Sequence, residues 1–349
     1  MPPLPPVKYF DQCLADAWSV NRGPGLWGRG SNAILSRMRR YRLRFDDPPT
    51  KMHWCQRKIF APLSHELSRY RAFFPIYNTN LGRVANAMVR VSTRPLYAID
   101  VGANIGDTGL LLLDSGISAV LCVEGSPHFF RYLRANTTDE RGITIAKALV
   151  AYEGGPRRVI LKESRGTARM EDADGQDGLA TCTLNEAVAG YGLNRTVHLL
   201  KIDTDGYDAR ILLHNSRFIE LHRPVIFAEA DVTFDAENDS EAIKKSLEML
   251  FGLGYRHFLV FRNTGEVACT ADLIRDIATF VDHLRRGTFG AYADIALFPI
   301  ERELEWDSCV DEFRASSAFG LGWPAPAHEE GLAQGRAGQQ VMPPEQGDA

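Results

Sequence analysis

The chain has 349 residues, of which 45% are hydrophobic and 24% charged, with a formal net charge of −4. It is long enough for two typical domains or one large one with extensions, and its composition is that of an ordinary globular protein. The small net charge argues against a nucleic-acid partner, the absence of a CxxC pair among six scattered cysteines argues against a zinc or disulfide framework, and the most apolar stretch, residues 109–123, is broken by Asp114, Ser115 and Gly116 before it could span a membrane.

Residues 1–30 read as irregular, with the proline-rich "MPPLPPVKYF" and the glycine-rich "NRGPGLWGRG". The first of these lacks the basic start and apolar run of a secretory leader, so a cytoplasmic protein with reduced thiols is expected. "SNAILSRMRRYRLRF" then reads as a helix with Arg37, Arg39, Arg40, Arg42 and Arg44 on most faces. A solvated basic helix is the plain reading and a patch for an acidic ligand the other. "DDPPT" stops that helix, because proline cannot continue it.

From Tyr97 strand and helix patterns alternate. "LYAIDVG", "AVLCVEG", "ITIAKALV", "VHLLKID", "RPVIFAEAD", "YRHFLVFRN" and "AYADIALFPI" read as strands. "DTGLLLLDS", "PHFFRYLRAN", "TLNEAVAGYG", "GYDARILLHN", "SEAIKKSLEMLFGLG" and "ADLIRDIATFVDHLRRG" read as the helices between them, several closed by glycine. "RRVILKES" and "GTARME" read as a side hairpin. This alternation predicts an α/β domain with a mainly parallel sheet, and the continuously apolar strands predict helices on both faces. Past Ser316 the chain is rich in Gly, Ala, Pro and Gln and reads as a flexible tail. The expected organisation is an irregular and helical extension over residues 1–90 acting as a lid, a core domain over 91–303, and a C-terminal extension over 304–349.

The first core strand ends in "IDVGANIGDTG". In a doubly wound sheet ligands lie beyond the carboxyl ends of the strands, where Gly102 and Gly106 let the backbone turn tightly and the next helix offers free N–H groups. The spacing is GxxxG, not the GxGxxG of dinucleotide-binding loops. The second strand ends in "CVEG", which puts Glu124 where an acid can take both hydroxyls of a ribose. An acid ending each of two adjacent strands (Asp100, Glu124) suits a nucleoside ligand that also carries an ammonium group. A pyrophosphate at the loop would be repelled by it.

"AIDVGANIGDTGLLLL", "LCVEGSPHFFRYLRAN", "TCTLNEAV", "LLKIDTDGYDARIL" and "PVIFAEAD", in that order, resemble the FkbM-type methyltransferases over about residues 97–230. The resemblance implies a class I Rossmann-like fold with a seven-stranded sheet. It implies S-adenosylmethionine as cofactor, and O-methylation of a sugar, glycan precursor or secondary metabolite. It assigns Asp100, Gly102, Ala103, Asn104 and Gly106 to the amino-acid end of the cofactor, Glu124 to the ribose, and the region of Ala146 to Leu149 to an adenine wall. "FFPIYNTNLGRVANAM" resembles a stretch found in part of the family and would bring Tyr77, Asn80 and Arg83 near cofactor or acceptor. Three positions depart from the family pattern: Glu124-Gly125 for acid-proline, Asp205 for Glu in the Lys201–Gly206 motif, and Leu184-Asn185 for Leu-Asp.

"KIDTDGYD" places Asp203, Asp205 and Asp208 just beyond a core strand, with Glu229 ending the next strand. An alcohol is a poor nucleophile at neutral pH, so a general base or a metal is expected. Asp203 or Asp205 can serve as base, Asp203 and Asp205 with Glu229 can hold a divalent cation, or the acids can cap the next helix, the role that best suits Asp208. Two other functions fit the same pattern: a nicotinamide-dependent oxidoreductase and a non-catalytic partner-binding relative.

Overall fold

The computed structural model describes residues 3–20, 26–150, 158–164, 167–172, 179–191, 195–233 and 236–314. The expected tail beyond Ser316 lies outside the described residues. Helices α1 (Tyr9–Trp18) and α2 (Leu26–Leu43) are followed by a hairpin, β1 (Pro49–Trp54) and β2 (Arg57–Pro62), and by α3 (Leu67–Phe73) and α4 (Asn80–Val91). The hairpin was not expected from the sequence, although its strands alternate: Met52 and Trp54 point inward, Lys51 and His53 outward.

Then come β3 (Tyr97–Val101), α5 (Asp107–Asp114), β4 (Ala119–Val123), α6 (Pro127–Thr137) and β5 (Ile143–Ala146). A smaller sheet follows, formed by β6 (Leu149–Val150), β7 (Arg158–Ser164), β8 (Thr167–Asp172) and β9 (Leu179–Cys182), in the order β6-β9-β7-β8. The expected side hairpin is β7–β8, paired antiparallel. After α7 (Leu184–Gly190) come β10 (Leu199–Ile202), α8 (Asp208–His214), α9 (Ser216–His222), β11 (Val225–Asp231) and α10 (Ala236–Gly252). The chain then forms β12 (Tyr255–Arg262), β13 (Val267–Asp272), α11 (Leu273–Arg285), β14 (Tyr292–Pro299) and α12 (Glu303–Arg314).

The main sheet has the order β13-β12-β14-β11-β10-β3-β4-β5. Pairings from β5 through β11 are parallel, and β14 runs antiparallel between β11 and β12. Seven of these strands are the expected ones. The eighth, β13, folds back on β12 as an edge hairpin after a turn in which Gly265 has φ +100°.

Side chains alternate between two cores, as strand geometry requires. Ile99, Val101, Leu121, Leu200, Ile202, Ile226 and Ala228 belong to one, and Ala98, Val120, Cys122, Leu199, Val225 and Phe227 to the other. The second face also receives the hairpin and α4, through Trp54, Ile59, Val84 and Met88. Its polar row decides where the site lies. Lys201 stands directly beside Asp100 in the parallel register, and Glu229 beside Asp294.

Candidate active site

A cavity of about 390 Å³ opens beyond the carboxyl ends of β3, β4, β10 and β11. That size suits a nucleoside-sized ligand. Its walls include Gly102, Asn104, Asp107, Glu124, Lys201, Asp203, Asp205, Glu229 and Asp231, faced by Val123, Phe129, Ala148, Leu149 and Val150. The lining is therefore partly acidic and partly apolar.

The glycine loop is built by close approach. Gly102 has φ +75°, and a Cβ there would lie 1.8 Å from the Asp203 carbonyl oxygen, so no other residue fits without moving the backbone. Gly106 has φ +90° and precedes α5. The Gly102 and Ala103 amides donate to Val123 O, which ties the loop to the neighbouring strand end. Asn136 binds the loop from the other side: its Nδ2 donates to Ile105 O and to Phe60 O in β2, each at 2.8 Å.

Asp100 is fully buried beneath the loop and does not line the cavity. Its carboxylate accepts from Thr108 Oγ1 at 2.6 Å and pairs with Lys201 Nζ at 2.9 Å. Lys201 Nζ also donates to Gly102 O at 2.9 Å and approaches Asp203 at 3.5 Å. These neighbouring carboxylates raise the ammonium pKa against the opposing effect of burial. Asp100 thus acts on the loop through Lys201, and the acid beside the loop that faces the cavity is Asp107. Burial, reinforced by Asp100 and Asp203, pushes the Asp107 carboxyl up to about 7. Its Oδ2 accepts from Asn78 Nδ2 at 3.2 Å.

Glu124 faces the cavity with both oxygens fixed. Oε2 accepts from Asn104 N–H at 2.8 Å and Oε1 from Ser126 N–H at 2.6 Å. Burial still raises its carboxyl to about 7, because desolvation outweighs two amide bonds. Ser126 in turn caps α6, accepting from the amides of His128 and Phe129, with Pro127 opening the helix. His65 walls the cavity nearby. Burial lowers its pKa to about 4, so its imidazole is neutral, and Nδ1 accepts from Leu67 N–H.

The acid cluster is larger than the sequence motif. Asp203 and Asp205 line the cavity, Asp205 at a left-handed turn with φ +52°. Asp208 is the first residue of α8 but does not cap it as expected: the cap position is Tyr207, with no side-chain cap bond, and the Asp208 Oδ2 accepts instead from Thr204 N–H and Oγ1. It is buried, and burial together with Asp203 raises its carboxyl to about 7. Burial also lifts Glu229 well above the ordinary carboxyl range, with Asp203, Asp208 and Asp294 adding to the effect. Asp294, opposite Glu229 on β14, is raised to about 8 for the same reasons. Tyr77 and Tyr292 close this end, their hydroxyls 3.1 Å apart.

Of the upstream trio, Tyr77 is at the cavity and the other two are engaged elsewhere. Asn80 is buried and donates to Gly265 O at 2.8 Å, which holds the β12–β13 turn. Arg83 lies over the Phe313 ring and pairs with Glu312 in α12. Neither lines the cavity. Among the described residues no group of three or more His, Cys, Asp or Glu is arranged to hold a metal ion, so a divalent cation at Asp203 and Asp205 gains no geometric support.

Residues 100–257 match the family model described as the methyltransferase FkbM domain. The resemblance read from the sequence motifs is thereby shown over this stretch of the chain. Solved structures of similar architecture include an FkbM methyltransferase from Methylobacillus flagellatus KT, 13% identical, covering 63% of this chain and 47% of that one at TM-score 0.29. A putative O-methyltransferase from Klebsiella pneumoniae is 12% identical, with 63% and 80% covered at TM-score 0.37. The precorrin-6y C5,15-methyltransferase from Geobacter metallireducens GS-15 is 12% identical, with 62% and 85% covered at TM-score 0.33. No curated protein matches the chain.

The sheet is the class I methyltransferase sheet with one added edge strand, and it extends past the matched residues through β12, β13 and β14. Sequence reasoning passed over Asp107, Tyr292 and Asp294, and took Lys201 only as a partner of the acid cluster, not of Asp100 and the glycine loop. Asp107 and Lys201 stood inside the quoted motifs. Their roles depend on which face of strand or helix meets the cavity. Asp294 carried a readable signal, an acid in an otherwise apolar strand.

Proposed function

We propose that this protein is an S-adenosylmethionine-dependent O-methyltransferase whose acceptor is a hydroxyl of a sugar, glycan precursor or secondary metabolite. The observation that carries the reading is Glu124, presented to the cavity with each oxygen already pinned by one backbone amide. A carboxylate oxygen has two acceptor sites, so each can still take one hydroxyl of a vicinal diol such as a ribose.

The residues fit the cofactor along its length. Glu124 would hold the ribose, and Phe129, Ala148, Leu149 and Val150 offer the apolar wall for a base. The loop of Gly102, Ala103, Asn104 and Gly106, with Asp107 in the role first given to Asp100, would hold the amino-acid end. When bound, the cofactor supplies an electrophilic methyl group on a sulfonium. The protein's part is to bind and orient both reactants, exclude water and take the acceptor's proton. Asp203, Asp205 and Glu229 share the rim and are the candidates for that proton. Glu229 suits it best in one respect, since a carboxyl raised toward the working pH is a stronger base once ionised. A dinucleotide fits less well, because its pyrophosphate would meet Asp107.

The test is calorimetric titration of the full chain with S-adenosylmethionine and with NAD, followed by turnover on hydroxyl acceptors. Binding of S-adenosylmethionine is expected, weakened by Glu124→Gln. Asp203→Asn, Asp205→Asn and Glu229→Gln should spare cofactor binding, and loss of the base should cut turnover by about 10²–10⁴-fold. Tight NAD binding without S-adenosylmethionine binding would establish an oxidoreductase, and binding of neither a non-catalytic relative. Full activity in all three variants, with and without chelator, would remove the acid cluster from catalysis.

A further inference from the structure

The arginine-rich helix has no part in the reaction proposed above, and the structure divides it into two faces. Arg39 and Arg42 point inward. Arg39 pairs with Glu66 at 2.7 Å and donates to Leu63 O at 3.0 Å, while Arg42 pairs with Asp11 in α1 at 2.7 Å. Those contacts clamp α1 and α2 to the body of the protein. Arg37, Arg40 and Arg44 are exposed.

The exposed face is not simply basic. Ile34, Met38, Tyr41 and Phe45 follow one another at four, three and four residues, the spacing of a single helix face. They are 59%, 42%, 63% and 69% exposed. The Tyr41 and Phe45 rings meet edge to face at 5.3 Å, so the stripe is continuous at its C-terminal end. Tyr9 and Phe10 on the clamped neighbour α1 are exposed as well, at 86% and 55%. A row of large apolar side chains left in water marks an interaction surface.

We propose that this face docks the protein on an anionic lipid surface. The charge pattern chooses the occupant. From Leu26 to Phe45 there is no Asp or Glu, in a chain whose net charge is −4. A second copy meeting the stripe across a two-fold axis would bring its own Arg37, Arg40 and Arg44 against these, like charge on like. An aromatic and aliphatic stripe edged by arginines is the composition of a helix that lies in the plane of a membrane interface, with its apolar side among the acyl chains and its cations at the headgroups. No helix among the described residues is long and apolar enough to cross a membrane, so the attachment would be peripheral. The inner face of α2 reaches the catalytic region, because Glu66, the partner of Arg39, lines the cavity. The docking proposal stands independently of the reaction assigned to that cavity.

The experiment is sedimentation of the full chain with vesicles of phosphatidylcholine alone and of phosphatidylcholine with phosphatidylglycerol, at low and high salt. Binding is expected to the anionic vesicles, to weaken with salt, and to fall by about tenfold or more in Arg37→Glu/Arg40→Glu. Tyr41→Ser/Phe45→Ser should lose binding at either salt concentration. Both double variants should keep the wild-type melting temperature and elution volume, since every altered side chain is exposed. Absence of binding to anionic vesicles at low salt overturns the proposal, as does binding that neither variant weakens. A dimer of the wild type that Tyr41→Ser/Phe45→Ser converts to monomer would assign the face to self-association instead.

Discussion

Gly102 carries more of the site than any acidic residue around it. Its amide fixes the loop to β4, its carbonyl receives Lys201, and its missing Cβ leaves room for the Asp203 carbonyl. Gly102→Ala combines a left-handed backbone, costing about 1–3 kcal/mol, with a contact that only movement of the loop relieves. The expected outcome is a lowered melting temperature together with lost S-adenosylmethionine binding, measured by thermal denaturation and titration. A variant that melts like the wild type would show that the loop is not held by this approach. At this scale the sequence was partly legible. Spacing located Glu124 and Asp203 just past strand ends because strand ends are visible as breaks in apolar runs, while Glu229, expected to end its strand, lies two residues short of the end of β11. It could not separate Asp100 from Asp107, since the two differ in which side of the loop they face. That is set by Lys201, 101 residues away, coming up beside Asp100 in the parallel register.

The alternating core elements were legible from their apolar runs, and the edges and the first 90 residues much less so. β13 was hidden because it is short and runs straight into the cap of α11, where the Asp272 carboxylate accepts from Ile274 N–H. The β1–β2 hairpin was hidden by composition: "KMHWCQRKIF" holds as many polar as apolar residues, and its two-residue turn uses Cys55 at φ +51° in place of the usual glycine or asparagine. Yet the hairpin is tied into the site. Trp54 is 1% exposed, and its indole N–H donates to the backbone carbonyl of Asp107 at 2.8 Å. Trp54→Ala removes both packing and that bond, at a cost of about 3–5 kcal/mol. Urea denaturation should show that loss. Trp54→Phe keeps most of the packing and should recover most of the stability, but not the bond to the first turn of α5. Equal losses in the two variants would place the cost in the hydrogen bond instead.

For the molecule as a whole, the carboxyls gathered between β10, β11, β14 and the loop set how stability follows pH. Asp107, Glu124 and Asp208 are raised to about 7, Asp294 to about 8, and Glu229 well above its ordinary range. In the unfolded chain the same groups titrate near 4. Between those limits the native state binds more protons, so stability from these groups is full below about pH 4 and declines as pH rises through 7 to 8. His65 acts oppositely at the acid end, because its depressed pKa disfavours the fold once the unfolded imidazole protonates below about 6.5. The melting temperature should therefore fall from about pH 6.5 to about pH 8.5, and Glu229→Gln with Asp294→Asn should flatten that fall. An unchanged slope in the double variant would locate the pH dependence elsewhere. The same crowding makes the cavity an exchanger. A cation that settles among these carboxyls does so by expelling protons into the solvent. Its affinity therefore climbs over the very span of pH in which the fold alone weakens, and ligand and fold become mutual supports in alkaline conditions.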